Sequence, residues 1–133
     1  MKIRDVMAPD VHTIGPDETV QTAAQLMAEL DTGTLPVSVE GALQGILTDR
    51  DIIIRVVAAG LPPAGTPVRA VMSSDVFTCD EDAPAAEIAE EMRRRQIRRV
   101  PVVGDGRIIG IVTLGDIIDA GAAPAGGADR ARR

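Results

Sequence analysis

The sequence predicts an α+β fold (α/β-like) built from one βαββα unit used twice, and three observations predict it. The first is an internal repeat, the feature to seek before any other. Shifting the chain by 65 positions lays Val6-Met7 on Val71-Met72, Asp10-Val11 on Asp75-Val76, and Met27 on Met92. The same shift lays Pro36-Val37 on Pro101-Val102, Gly45-Ile46 on Gly110-Ile111, and Asp51-Ile52-Ile53 on Asp116-Ile117-Ile118. No gap is needed, and 17 of the 48 pairs from 6 to 53 are identical. Unrelated segments would give roughly three at ordinary residue frequencies. The second observation is a hydrophobic period that turns from helical to strand-like within each copy. The third is composition: 45% of residues are hydrophobic and Phe77 is the sole aromatic. The core must therefore be Val, Ile, Leu, Met and Ala.

The elements follow in order. A short apolar strand opens each copy, at Val11 to Ile14 and at Val76 to Cys79. It leads to an acidic cap, Asp17-Glu18-Thr19 or Asp80-Glu81-Asp82. Val20, Ala23, Ala24, Met27 and Leu30 then recur at helical spacing, as do Ala85, Ile88, Ala89 and Met92. Pro84 suits a first helical turn. Strands are predicted at Leu35 to Val39 and Leu43 to Leu47, with counterparts at Val100 to Val103 and Ile108 to Val112. Glu40-Gly41 and Asp105-Gly106 mark the hairpin turns. A last helix begins at Thr48 and again at Thr113. A lone βαββα unit leaves a sheet face and a helix flank uncovered, so the two are expected to pack as one pseudo-twofold module with clefts along the join.

By domain, residues 1–60 form repeat 1, 61–70 a linker, and 71–120 repeat 2. The linker assignment rests on the Pro- and Gly-rich stretch Gly60 to Pro67. The tail, 121–133, is rich in Ala, Gly and Arg without apolar periodicity and is predicted to be disordered.

Composition excludes several classes of function. A net charge of -6 argues against a general nucleic-acid binder or an anionic membrane surface as partner. One cysteine and one histidine allow no intrachain disulfide and no Cys- or His-rich metal site. The start Met1-Lys2-Ile3-Arg4-Asp5 lacks the apolar stretch of a signal peptide, and no apolar run approaches the ~20 residues of a membrane span. A cytoplasmic protein is expected.

The sharpest local pattern closes each copy: Gly45-Ile46-Leu47-Thr48-Asp49-Arg50-Asp51 and Gly110-Ile111-Val112-Thr113-Leu114-Gly115-Asp116. With the Val-Met opening and the Pro-Val strand start, it resembles the CBS-domain family over roughly 3–119, as a stand-alone tandem pair (a Bateman module). The resemblance implies that Thr and Asp of this motif hold the ribose of an adenine nucleotide. The chemistry is sound, because a hydroxyl at a strand end and a carboxylate one helical turn on can both reach a vicinal diol. The preceding Gly is expected to leave room for ligand against the strand. Thr-x-x-Asp before an apolar helix is equally a capping box, and one residue can serve both purposes.

In the same resemblance, basic residues before the Pro-Val strand contact the phosphate of the nucleotide whose ribose the other repeat holds. That pairs Arg98 and Arg99 with Thr48 and Asp51, with Val76 and Phe77 flanking the base. Alternatively, Arg93 to Arg99 are a solvated, dipole-complementing helix end, which suffices for Arg93 to Arg95. The mirror-related site comprises Thr113, Asp116, Val11 and His12, and carries Gly33 and Thr34 where the first has its arginines. The sites are therefore expected to be unequal, the first tighter for a charged nucleotide. The second is expected to be empty or to prefer a less charged adenosyl ligand, with His12 lining it or idle at the surface. Arg50, a cation in a first helical turn against the dipole, is a further candidate, unless Asp49 and Asp51 merely neutralise it. Cys79 reads as a packed residue, since no base is adjacent in sequence.

The function expected is a regulatory sensor, not an enzyme. It binds AMP, ADP or ATP between the repeats, requires no cofactor, and signals through a helix-mediated homodimer or an effector protein. The alternatives are a ligand-free dimeric scaffold, or a binder of another adenosyl ligand such as NAD or S-adenosylmethionine.

Overall fold

In a computed structural model, residues 1–121 are described. The expectation of a disordered tail concerns residues beyond 121 and lies outside them. The elements are α1 (Val20–Leu30), β1 (Thr34–Val39), β2 (Ala42–Thr48) and α2 (Asp49–Ile52), which runs on as a π-turn at Ile53–Val57. Then come α3 (Ala85–Arg95), β3 (Arg99–Gly104), β4 (Arg107–Thr113) and α4 (Leu114–Asp119). Mixed helices and antiparallel strand pairs, twice over, are the α+β architecture expected.

The chain forms two compact units that do not follow the repeat boundary. One is His12–Val76, and the other joins Met1–Val11 to the chain from Phe77 onward. Each repeat thus gives its leading segment to the body of the other. In the first unit, the short 3-10 helix Val68–Ala70 docks beside α1, and Ser73 bonds Ile46 of β2 in both directions, at 2.8 and 2.9 Å. In the second unit, the equivalent turn Ile3–Asp5 leads to Ala8, which pairs with Ile111 of β4 at 2.8 and 3.0 Å.

The stretch 61–70 is accordingly more than a spacer. Val68 is fully buried, the Val20 amide donates to the Thr66 carbonyl at 2.9 Å, and the Val68 amide donates to the Glu18 carbonyl at 2.8 Å. Pro and Gly set its bends, while Thr66 and Val68 tie it to α1.

Each unit encloses its own aliphatic core. In His12–Val76 this is Ile14, Val20, Ala23, Met27, Leu35, Val37, Leu47, Val56, Val68 and Val71. In the other unit Ile3, Cys79, Ile88, Met92, Val100, Val102, Val112 and Ile117 lead, with Phe77 packed at the margin. Both hairpins turn through residues of positive φ, Glu40 (51°) and Gly41 (85°), then Asp105 (54°) and Gly106 (77°). Two successive positive values are what a two-residue I′ turn needs to match strand twist.

Two local expectations are corrected. Val11 to Ile14 and Val76 to Cys79 are not strands: only Ile14 and Cys79 pair, by single parallel bridges to Val37 and Val102. Beside each of those partners stands a proline, Pro36 or Pro101, which offers a carbonyl but no N–H to extend the ladder. The caps hold only in the first copy, and there through the last residue of the trio rather than its acids. Thr19 caps α1 with its own hydroxyl, and Pro84 occupies the start of α3 without a side-chain cap. Asp17 and Asp82 instead form ion pairs with Arg69 and Arg4, which belong to the exchanged leading segments.

Candidate functional site

In the unit His12–Val76, Thr48 ends β2 and Asp51 stands in the first turn of α2. The Asp51 amide donates to Thr48 Oγ1 at 3.1 Å, and the Thr48 amide donates to Asp51 Oδ2 at 3.0 Å. This is a complete capping box. The Asp49 amide donates to the Gly33 carbonyl at 2.8 Å, locking the helix start to the β1 entrance. The Asp51 side chain is 14% exposed, and Arg55 Nε lies 4.0 Å from Oδ1, the oxygen that the cap does not use.

Arg55 escaped the sequence reading. Its Nη1 donates to the Val71 carbonyl at 2.9 Å, so it links the ribose-holding candidate Asp51 to the exchanged segment. The signal was an Asp-Arg spacing of four residues on a helix, with Ala120 as its counterpart in the second repeat. Arg50 is exposed, and no ion pair reaches it among the described residues. Its amide donates to Asp49 Oδ1 at 2.8 Å. His12 is exposed and Val76 half-buried. An open groove of about 430 Å³ lies between α1 and α2, lined by Ala24, Met27, Ala28, Asp49, Ile52 and Ile53. It includes neither Thr48 nor Asp51.

In the other unit, the Asp116 amide donates to Thr113 Oγ1 at 3.1 Å, but the Thr113 amide has no reciprocal bond to the Asp116 carboxylate. The Leu114 amide donates to the Arg98 carbonyl at 2.9 Å, repeating the Asp49–Gly33 link. Arg99 pairs with Thr113 across β3 and β4, so Arg98, Arg99, Thr113 and Asp116 gather at one end of this hairpin. Val11 is half-buried. Phe77 is half-buried too, and the Arg95 guanidinium stands over its ring, 4.2 Å from the centroid.

Six of the ten described arginines are ion-paired, and of the four that are not, Arg50, Arg98, Arg99 and Arg107, only Arg98 and Arg99 are adjacent. Arg93 pairs with Glu90, Arg94 and Arg95 with Glu91, Arg4 with Asp82, Arg69 with Asp17, and Arg55 with Asp51. Arg98 and Arg99, adjacent and at a strand entrance, have no ion pair among the described residues. The Glu91 carboxyl is held below its usual range chiefly by its hydrogen bond from Arg95.

The glycine expectation is corrected. A Cβ on Gly45 would lie 2.7 Å from the Ser73 carbonyl oxygen, and one on Gly110 would lie 2.8 Å from Met7 Sδ. The space beside each strand is filled by the exchanged segment, so these glycines admit the chain's own backbone rather than a ligand. Cys79 is buried, and burial with nearby Asp80 pushes its thiol up to about 11, a neutral and unreactive group.

Fold and site together define a class: a tandem pair of units, each a helix, an antiparallel hairpin and a short helix that starts at Thr-x-x-Asp. The chain belongs to the CBS-domain family, whose model matches residues 3–58 and again 68–123. It is 39% identical over 115 residues to the CBS domain-containing protein YhcV of Bacillus subtilis, covering 86% of this chain and 81% of that protein. It is 41% identical over 115 residues to Hypoxic response protein 1 of Mycobacterium tuberculosis, covering 86% and 80%. A crystal structure of Hypoxic Response Protein I with two coordinated zinc ions matches with a TM-score of 0.81 at 39% identity, over 90% of this chain and 98% of that one. Among the described residues of this chain, no three His, Cys, Asp or Glu side chains are grouped to hold a metal ion. None of the described helices is long and apolar enough to cross a membrane.

Proposed function

We propose that this CBS pair senses an adenine nucleotide, AMP, ADP or ATP, through Thr48 and Asp51 at the ribose and Arg98 and Arg99 at the phosphate. The observation that carries the reading is the adjacent pair of arginines without carboxylate partners, in a unit whose helix arginines are paired. Unpaired guanidinium forks at a strand entrance favour a phosphate. Asp51 keeps Oδ1 clear of its capping bond, so a ribose hydroxyl has an acceptor there without loss of the cap. On this reading Val76 and Phe77 flank the base, and Arg50 is a further candidate for the phosphate. The second set, Thr113, Asp116, Val11 and His12, takes a less charged adenosyl ligand or none.

The same proposal includes a cytoplasmic setting, where adenine nucleotides are met, and a homodimer joined through helices. Ile53, Ile54 and Val57 support the dimer, since they expose 59%, 48% and 64% of their surface within the one π-turn Ile53–Val57. Any signal must come from different nucleotide affinity of two arrangements, passed to an effector protein.

One observation favours a second reading, a dimeric scaffold with no ligand: the Thr48–Asp51 box is already complete with protein partners. Thermal unfolding with AMP, ADP, ATP, NAD and S-adenosylmethionine decides between them. A ligand at a hundred times its dissociation constant adds about 2.7 kcal/mol, several degrees for a chain of this size. A rise with one nucleotide, lost in Asp51→Ala and kept in Asp116→Ala, supports sensing at the first site. No rise with any of the five supports the scaffold. A rise with NAD or S-adenosylmethionine alone transfers the site to that ligand.

A further inference from the structure

We infer that Arg95 is a specificity-determining residue: it covers Phe77 in the free protein and turns to the phosphate when a nucleotide displaces it. This rests on the reading of Phe77 as a base-flanking residue. Phe77 is the only Phe, Tyr or Trp in the sequence, and His12, its counterpart in the other repeat, is the only other aromatic ring. The ring packs against the core of its unit and is half-buried, and the Arg95 guanidinium stands over it at 4.2 Å. A planar guanidinium on an aromatic face makes the contact an adenine ring would make, so the two compete for it.

What holds Arg95 there is light. Its Nε donates to Glu91 Oε2 at 2.9 Å, while its terminal nitrogens have no acceptor among the described residues. Its side chain is 51% exposed. Glu91 also pairs with Arg94, so it keeps a cation when Arg95 swings away. The freed fork then carries unspent donors for the phosphate of the ligand that displaced it. The arrangement is confined to one repeat: 65 positions earlier, Phe77 and Arg95 correspond to His12 and Leu30, so ring and cation are lost together. An adenosyl ligand without phosphate must displace Arg95 with nothing offered in exchange. A nucleotide displaces the same group and gains a partner.

The test is calorimetric titration of the full chain with ATP and with adenosine, for wild type, Arg95→Ala and Arg95→Lys. Arg95→Ala is expected to tighten adenosine about two- to fivefold by baring the ring. It is also expected to weaken ATP enough that the preference for ATP over adenosine falls about tenfold, the worth of one charge-assisted hydrogen bond. Arg95→Lys keeps the charge but not the flat stack, so adenosine tightens while most of the ATP preference remains. Proton NMR gives an independent check, since Phe77 and His12 supply the only aromatic side-chain signals: the Phe77 ring resonances must shift in Arg95→Ala while the unfolding midpoint stays near that of wild type. If wild type binds both ligands and Arg95→Ala leaves their ratio unchanged, this inference fails alone. If wild type binds neither, the nucleotide reading fails and takes the inference with it.

Discussion

The amides of Thr48 and Asp51 each donate to the other residue's side chain, at 3.0 and 3.1 Å, whereas Thr113 and Asp116 make only one such bond, at 3.1 Å. Two copies of one motif therefore use the same residue types differently. In the first copy the aspartate already serves the helix start before any ligand arrives. In the second its carboxylate is left exposed and without a capping role.

Removing the two carboxylates should separate these roles. Asp51→Ala strips the Thr48 amide of its partner and should cost about 1 kcal/mol, seen as a lowered midpoint in thermal melts without ligand. Asp116→Ala removes no such bond and should leave the midpoint nearly unchanged. Equal losses in both would mean that the cap contributes nothing.

Gly45 tests the exchange of leading segments. Its added Cβ would meet a backbone oxygen, Ser73 O at 2.7 Å, which moves only with the whole segment. Gly110 would meet first the flexible end of Met7, at 2.8 Å, then Ala8 O at 3.1 Å. Gly45→Ala should lose about 1–3 kcal/mol in denaturant unfolding, and Gly110→Ala should lose less. The reverse order would show that Ser73 yields more readily than Met7.

Acid should act through the exchanged segments. Arg4 beside Asp82 holds its carboxyl below the ordinary 3.8, chiefly through their hydrogen bond. A depressed carboxyl contributes stability that is present above its ordinary value and lost as pH falls through the lower folded-state value. Melts taken from pH 6 down to pH 2 should show this loss, and Asp82→Asn should flatten it. Both groups are exposed, so added salt should shrink the difference.

Cys79 predicts the alkaline side. Its thiol is raised from 9.0 to about 11 by burial, with Asp80 adding to the effect. Its contribution to stability is therefore full below about pH 9 and lost as pH climbs toward 11. Cys79→Ala should remove that slope from melts across this range. In the native protein at pH 8, a thiol reagent should react with Cys79 only as fast as the unit opens.

Much of this was legible in the chain. The shift of 65 positions located both copies, and the helices, hairpins and Thr-led helix starts followed from local rules: apolar period, successive positive-φ turn residues and capping chemistry. Such features depend on neighbours a few residues away, which is why a sequence reveals them. Arg98 and Arg99 were legible as cations at a strand entrance, though the lack of a carboxylate beside them was not.

The sequence by itself determined the repeat, the element order, the aliphatic core and the candidate residues at the end of each copy. Only the tertiary structure decided that Ser73 bridges to β2 of the first copy while Ala8 bridges to β4 of the second. It alone turned Asp17 and Asp82 from caps into anchors for Arg69 and Arg4, gave the space beside Gly45 and Gly110 to the chain itself, and set Arg95 over Phe77. The physical reason is shared. The two copies carry near-equivalent edges, so composition cannot say which segment a strand will pair with. That choice belongs to contacts between residues tens of positions apart, where chain connectivity and packing, rather than local preference, select the partner.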